Sequence, residues 1–276
     1  MPKPPHNEHE LELAIVRKVG NDNAQAVSVR TTMANAIVGQ FLCDGAAVKG
    51  GSSLRFRYGS ENSRYTMDFD VTRRIGLDEF LEHLKMKLAA GWAGFTGEIS
   101  ILPQAAPKGV PFDYVMQPIK VRLFYKGKNW CSVDLEVSLG EAGTAEHADN
   151  MSPNEETLNA FRELGFPDPG SVPLMPIEHQ IAQKLSGLSG TASRRAHDLI
   201  DLQIIFQHEK VSLTQLKDIC QRLFASRRKE PWPPTIVLHE DWPSLYDAQR
   251  TGLPVLPTVD EAIEWVNALI KRIANA

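Results

Sequence analysis

The sequence predicts an α+β protein, with an α/β lobe on a mixed sheet over residues 1–140 and a helical lobe over 152–276. Three observations predict it. The apolar run Ala46-Ala47-Val48 enters an abrupt turn, Lys49-Gly50-Gly51-Ser52-Ser53. Several segments between Arg64 and Leu139 alternate apolar and polar residues with the period of a strand. Beyond Glu155 the apolar residues recur at helical spacing instead.

Each element follows from its local pattern. Residues 2–10 are polar and proline-rich and read as a frayed terminus. Ala26, Val29, Met33, Ile37 and Phe41 place a helix over 25–42. A brief helix over 54–58 follows the glycine turn, and 59–63 is a polar loop. A strand is predicted over 64–71, with Tyr65, Met67, Phe69 and Val71 on one face and Thr66, Asp68 and Asp70 on the other. Asp78 is the expected N-cap of a helix over 79–90 that Gly91 stops. Residues 98–102 form a further strand, and 119–125 with 130–139 form a hairpin about Lys126-Gly127-Lys128-Asn129. The polar stretch 140–156 has no periodicity and reads as the linker. Helices are expected over 155–164, 177–188, 193–209, 213–225 and 259–274, separated by connectors such as Pro231-Trp232-Pro233-Pro234.

Composition narrows the function classes. With 276 residues, 42% hydrophobic and 23% charged, the chain is an ordinary globular protein, which excludes disorder, collagen and coiled-coil rods. No apolar run approaches the ~20 residues of a membrane span. The first ten residues lack the apolar stretch of a secretory signal, and the cysteine usage leads to the expectation of a reducing, cytoplasmic setting. Cys43, Cys131 and Cys220 are too few and too scattered for a disulfide framework or a zinc site. The net charge of −4 confines any nucleic-acid contact to a local basic patch. Arg55, Arg57, Arg73 and Arg74 form one candidate patch, and Arg222, Arg227, Arg228 and Lys229 the other; the plain alternative for both is solvated charge. No HExxH, GxSxG or Walker A pattern is present. Trp232, Trp242 and Trp265 read as packing anchors.

Four constellations carry chemistry. Gly50-Gly51-Ser52-Ser53, between a strand and a helix, offers backbone N–H groups to a phosphate; the alternative is a plain turn with a serine cap. Asp68 and Asp70, at i and i+2 on a strand, share a face and repel each other unless a cation such as Mg²⁺ sits between them. Asp134 and Glu136 repeat that arrangement, and Asp134 is the expected third carboxylate if its strand lies beside the first pair. In the helical lobe, Lys184 is a point charge suited to a triphosphate, while Asp198 and Asp201 share a helix face and are alternatively salt-bridge partners of Arg194 or Arg195.

Taken in order, Val48-Lys49-Gly50-Gly51-Ser52-Ser53-Leu54-Arg55, Arg64-Tyr65-Thr66-Met67-Asp68-Phe69-Asp70, Ile181-Ala182-Gln183-Lys184-Leu185 and Arg195-Ala196-His197-Asp198-Leu199-Ile200-Asp201-Leu202 resemble the AbiEii/AbiGii-type nucleotidyltransferase toxins, which include the MenT toxins. That family lies within the polymerase-β-like nucleotidyltransferases. The resemblance spans about residues 48–202; His197 departs from it, standing where the family often has Lys or Arg. It implies that Gly50, Gly51, Ser52 and Ser53 hold the nucleotide phosphates and that Asp68 and Asp70 bind Mg²⁺. It implies further that Lys184 contacts the triphosphate and that Asp198 completes the site. The implied substrate is an NTP, the implied acceptor the 3′ end of tRNA, and the implied partner an antitoxin, with no membrane. Three alternatives stay open: transfer to a protein hydroxyl, an inactive nucleotide- or partner-binding module, and a Mg²⁺-dependent phosphotransferase.

Overall fold

The computed structural model describes residues 2–105, 115–141, 147–228 and 230–276. It divides into two compact units. Met1–Gly59, Thr66–Gly140 and Ala145–Leu174 form the first; Ser60–Tyr65, Glu141–Thr144 and Met175–Ala276 form the second.

The first unit is built on a seven-stranded sheet in the order β3-β4-β5-β2-β1-β7-β6. Its strands are β1 (Ala46–Val48), β2 (Phe69–Arg73), β3 (Phe95–Ile101), β4 (Gln117–Tyr125), β5 (Lys128–Leu139), β6 (Asp149–Met151) and β7 (Val172–Leu174). The sheet is mixed: β2 runs parallel to β5 and β1 parallel to β7, while β1–β2, β3–β4, β4–β5 and β6–β7 are antiparallel. The parallel pairing of β2 with β5 brings together two segments far apart in sequence, and the candidate site depends on it.

Among the described residues this unit also holds the helices α1 (Glu8–Lys18), α2 (Asn23–Gly39), α3 (Gly50–Tyr58), α4 (Leu77–Ala90) and α5 (Glu155–Glu163). The α2 helix lies against β5, β7 and α5, α1 against α2 and β5, α4 against β3, and α3 against β2. Their apolar faces and the sheet make one core that includes Ile15, Met33, Ile37, Phe69, Val71 and Leu135. The second unit is helical, from α6 (Ile177–Leu188) and α7 (His197–His208) through α8 (Leu213–Arg227) and α9 (Trp242–Arg250) to α10 (Val259–Ala274). In it α6 packs on α7 and α8, and α10 packs on α7, α8 and α9. A capping box of Thr258 and Glu261 starts α10.

Several expectations are corrected. The strand expected over 64–71 begins only at Phe69. Phe69 and Val71 are fully buried, but Tyr65 and Met67 are 47% and 69% exposed, and among the described residues no strand pairs with 64–68. Asp78 is not the N-cap of α4; that position is Gly76, and Asp78 lies in the first turn, where its charge still suits the helix dipole. The terminus expected to fray is tied down instead. Asn7 caps α1, and the Tyr125 hydroxyl and Lys126 ammonium donate to the Pro5 carbonyl at 2.7 and 2.9 Å. Residues 152–174, expected with the helical lobe, belong to the sheet unit, since Leu174 pairs with Val48 and α5 packs on α2. Within the expected linker, 142–146 lie outside the described residues.

Phe95 anchors the aromatic part of the first core, with ring centroids 4.7 Å from Tyr125, 5.0 Å from Trp130 and 5.2 Å from Phe166. Phe95→Ala should lower unfolding free energy by about 3–5 kcal/mol in urea titrations.

Candidate active site

The glycine turn ends β1 and starts α3. Lys49 is the N-cap residue, with extended backbone and no side-chain capping bond, so the first N–H groups of α3 have no capping side chain. Gly50 has φ of +66°, and a Cβ built on it would lie 2.6 Å from Asp70 Oδ2. Position 50 is therefore glycine for two reasons, the left-handed backbone and the carboxylate that fills the space a side chain would need. Two hydrogen bonds tie turn and carboxylates together. The Lys49 N–H donates to the Asp70 carbonyl at 2.9 Å, and the Ser52 hydroxyl donates to the Asp68 carbonyl at 2.7 Å. Ser52 and Ser53 are both buried, so the Ser52 hydroxyl fixes the backbone of Asp68.

Asp68 is exposed just before β2, and Asp70 is half-buried within it. The parallel register sets Asp70 opposite Glu136 on β5. The expectation for Asp134 gives way here. The β2–β5 ladder stops at the pair Phe69–Leu135, and Asp134 is exposed with its carboxylate 3.2 Å from Lys120 of β4. Burial pushes the Glu136 carboxyl up, the negative charges of Asp70 and Asp68 push it further, and the Lys49 ammonium opposes them. The Lys49 Nζ donates to Ser138 Oγ at 2.8 Å, two residues along β5 from Glu136. Nothing in the local pattern singles out Lys49, and Asp134, not Glu136, is the expected third carboxylate. The alternation of β5 treats Asp134 and Glu136 alike, and only the register separates them.

Among the described residues no three His, Cys, Asp or Glu side chains are grouped to hold a metal. The donors at the end of β2 nevertheless fit Mg²⁺ in kind, being hard carboxylate oxygens. That ion is usually held by one or two carboxylates together with substrate phosphates and waters, not by a preformed protein cage. The three cysteines are free, and burial pushes the thiols of Cys131 and Cys220 up to about 12, which leaves them protonated and poor nucleophiles.

In the second unit, Lys184, Asp198 and Asp201 form one buried ionic cluster. The Lys184 Nζ lies 2.9 Å from Asp198 Oδ1 and 2.6 Å from Asp201 Oδ2. Arg195 Nε approaches Asp198 Oδ2 at 2.5 Å, and Arg64 Nε reaches both Asp201 oxygens at 3.0 and 3.2 Å. Gly187 makes room, since a Cβ there would meet Arg195 Nε at 2.6 Å. Burial raises the carboxyl pKa of Asp198 and Asp201, but the cations prevail and hold both below the usual range: Lys184 and Arg195 for Asp198, Arg64 and Lys184 for Asp201. Burial pushes the neighbouring His197 imidazole down to about 4, so it is neutral at neutral pH. Of the two arginines weighed as partners, Arg195 pairs with Asp198, whereas Arg194 lies 3.6 Å from Asp241. Arg64 is the partner the sequence did not announce.

The first basic patch is mostly structural. Arg55 is buried on Thr32 and Ser28, Arg57 pairs with Asp149, and Arg73 donates to the Ile75 carbonyl. In the second, Arg227 pairs with Glu141 and Ser186, Arg222 and Arg228 are exposed, and Lys229 lies outside the described residues. No helix among the described residues is long and apolar enough to cross a membrane.

A family model described as "Nucleotidyl transferase AbiEii toxin, Type IV TA system" matches residues 32–266. No curated protein matches the chain. Among solved structures, the nucleotidyltransferase toxin MenT4 of Mycobacterium tuberculosis H37Rv is similar at 14% identity and a TM-score of 0.53, over 96% of this chain and 98% of that one. Two structures from Helicobacter pylori, one of them JHP933, are each 18% identical, with TM-scores of 0.48 and 0.43. The first match covers 89% of this chain and 93% of that one; the JHP933 match covers 88% and 89%.

Two measurements test the two clusters. Because the Glu136 carboxyl titrates higher in the folded chain than at its ordinary value of 4.5, folding takes up a proton between those values. Stability then falls as the pH rises through that window. Glu136→Gln should melt above the wild type at neutral pH, and the gain should fade as the pH falls below 4.5. Lys184→Met leaves two buried carboxylates short of a partner and should cost about 3–5 kcal/mol in chemical unfolding.

Proposed function

Because the chain belongs to the AbiEii family of nucleotidyltransferase toxins, we propose that it transfers a nucleoside monophosphate from an NTP to the 3′ end of tRNA, with Mg²⁺ held at Asp68 and Asp70. The observation that carries this reading is the register that sets Glu136 beside Asp70, next to the N-terminus of α3. A glycine turn with uncapped N–H groups receives phosphate oxygens, and carboxylates a few residues away receive the metal that accompanies them.

Each residue then has a task. The amides of Gly50 and Gly51 take phosphate oxygens, and the Ser52 and Lys49 hydrogen bonds keep the Asp pair in register with them. What bound Mg²⁺ supplies is neutralisation of charge at the transferred phosphate. Glu136, whose carboxyl holds a proton more readily than an ordinary glutamate, accepts the proton of the acceptor hydroxyl as it attacks the α-phosphorus. Pyrophosphate leaves as the new phosphodiester forms. Lys184 is the expected triphosphate contact. Asp198 and Asp201 occupy two of its three N–H donors and fix the direction of the third. Membership of a toxin–antitoxin family makes an antitoxin the natural protein partner.

Incubation with total tRNA, Mg²⁺ and each NTP labelled at the α-phosphate tests the reading. Label should enter tRNA, vanish with Asp68→Ala, fall roughly 10²-fold or more with Glu136→Gln, and persist with Asp134→Asn. Label on protein would replace tRNA with a protein hydroxyl, and transfer from the γ-phosphate instead would identify a phosphotransferase.

A further inference from the structure

A cavity of about 510 Å³ at the C-terminal end of α8 has no part in the chemistry above. Its lining includes Gln221, Phe224, Arg228, Glu230 and Trp232, all within the second unit. Three features give it a chemical character. Trp232 is half-buried, and its Nε1–H is a buried donor without an acceptor. A buried N–H in that condition is unfavourable until a ligand or water supplies an acceptor. Phe224 braces the indole edge-on, with ring centroids 5.3 Å apart. Arg228 closes α8 in a left-handed conformation and is exposed, with no side-chain hydrogen bond or ion pair among the described residues. The neighbouring Arg227, by contrast, is bound to Glu141 and Ser186.

A ligand that satisfies all three has a flat π body, an acceptor oxygen and a negative charge. A nucleotide unit has each of these, and the volume falls in the range of small-ligand pockets. Glu230 decides between a nucleic acid and an acidic peptide. A carboxylate in the lining repels a phosphate as it does an acidic side chain, so the difference lies in the exocyclic amine of a base, from which the carboxylate accepts hydrogen bonds.

We propose that this cavity is a subsite for one nucleotide of the single-stranded end of the RNA acceptor. The base lies on the Trp232 indole, a sugar or phosphate oxygen accepts from its Nε1–H, and a phosphate meets Arg228. This rests on the reading that the acceptor is RNA. Stacking of unpaired bases on aromatic side chains, with an arginine for the backbone, is the usual way a protein holds single-stranded RNA.

The test is fluorescence anisotropy of a labelled single-stranded RNA oligonucleotide with a free 3′ hydroxyl, using the full chain. Arg228→Glu should weaken binding about tenfold or more, and Trp232→Phe, which keeps a ring against Phe224 but removes the N–H, several-fold. Asp134→Asn, an exposed position outside both the carboxylate group and the cavity, should bind as the wild type does. Circular dichroism and melting confirm that each variant folds. Wild-type binding that neither cavity substitution alters would overturn the subsite and leave the RNA reading standing. No binding by the wild type would overturn both. AMP that quenches wild-type tryptophan fluorescence but not that of Trp232→Phe, without competition from the oligonucleotide, would assign the cavity to free nucleotides and overturn the RNA source.

Discussion

Like charges at one end of a sheet set the terms for the first unit. Asp68, Asp70 and Glu136 bring three carboxylates within electrostatic reach of one another; burial raises the Glu136 pKa, and the two aspartates add to the rise. The surrounding geometry accommodates that repulsion. Lys49 sets its ammonium on Ser138, near Glu136, and Gly50, having no side chain, leaves the Asp70 carboxylate room. Two hydrogen bonds, from the Lys49 N–H and the Ser52 hydroxyl, lock the turn to the backbone of Asp70 and Asp68. Carboxylates arranged this way repel one another, and a cation placed between them would relieve that repulsion.

The second unit solves the opposite problem. There the charges are buried, where an unpaired ion is costly and a complete set of partners is needed. Lys184 meets two aspartates, and each aspartate meets an arginine from a different part of the chain, Arg195 from just before α7 and Arg64 from the segment 60–65. Such a cluster adds little net stability over an apolar core of the same volume. Its value is geometric, since it fixes where the lysine ammonium points.

Arginine count misleads in this chain. Of the arginines that clustered in sequence, most are structural, held by Thr32, Ser28, Asp149, Glu141 or a backbone carbonyl. An arginine with a partner in the fold has lost most of its appeal to a phosphate. Arg228, at a helix end beside a half-buried indole, is of a different kind.

Much of this was legible in the residues themselves. The strand and helix periods located β1, β4, β5, α6 and α10, and the glycine turn and the Asp68–Asp70 pair stood out by type and spacing. Local pattern succeeds there because helical and strand periods, turn glycines and paired carboxylates all act over a few residues. The short strand β7 and the true start of β2 were not legible, since each depends on a partner strand distant in sequence. The same reason separates Glu136 from Asp134. Both share one face of β5, and only the parallel register with β2 decides which faces Asp70. Arg64 is likewise 137 residues from Asp201, a distance across which no local spacing carries information. Residue type and local spacing set the kinds of groups this protein brings to its chemistry; folding settles which of them meet, because charge interactions act through space and take no account of separation along the chain.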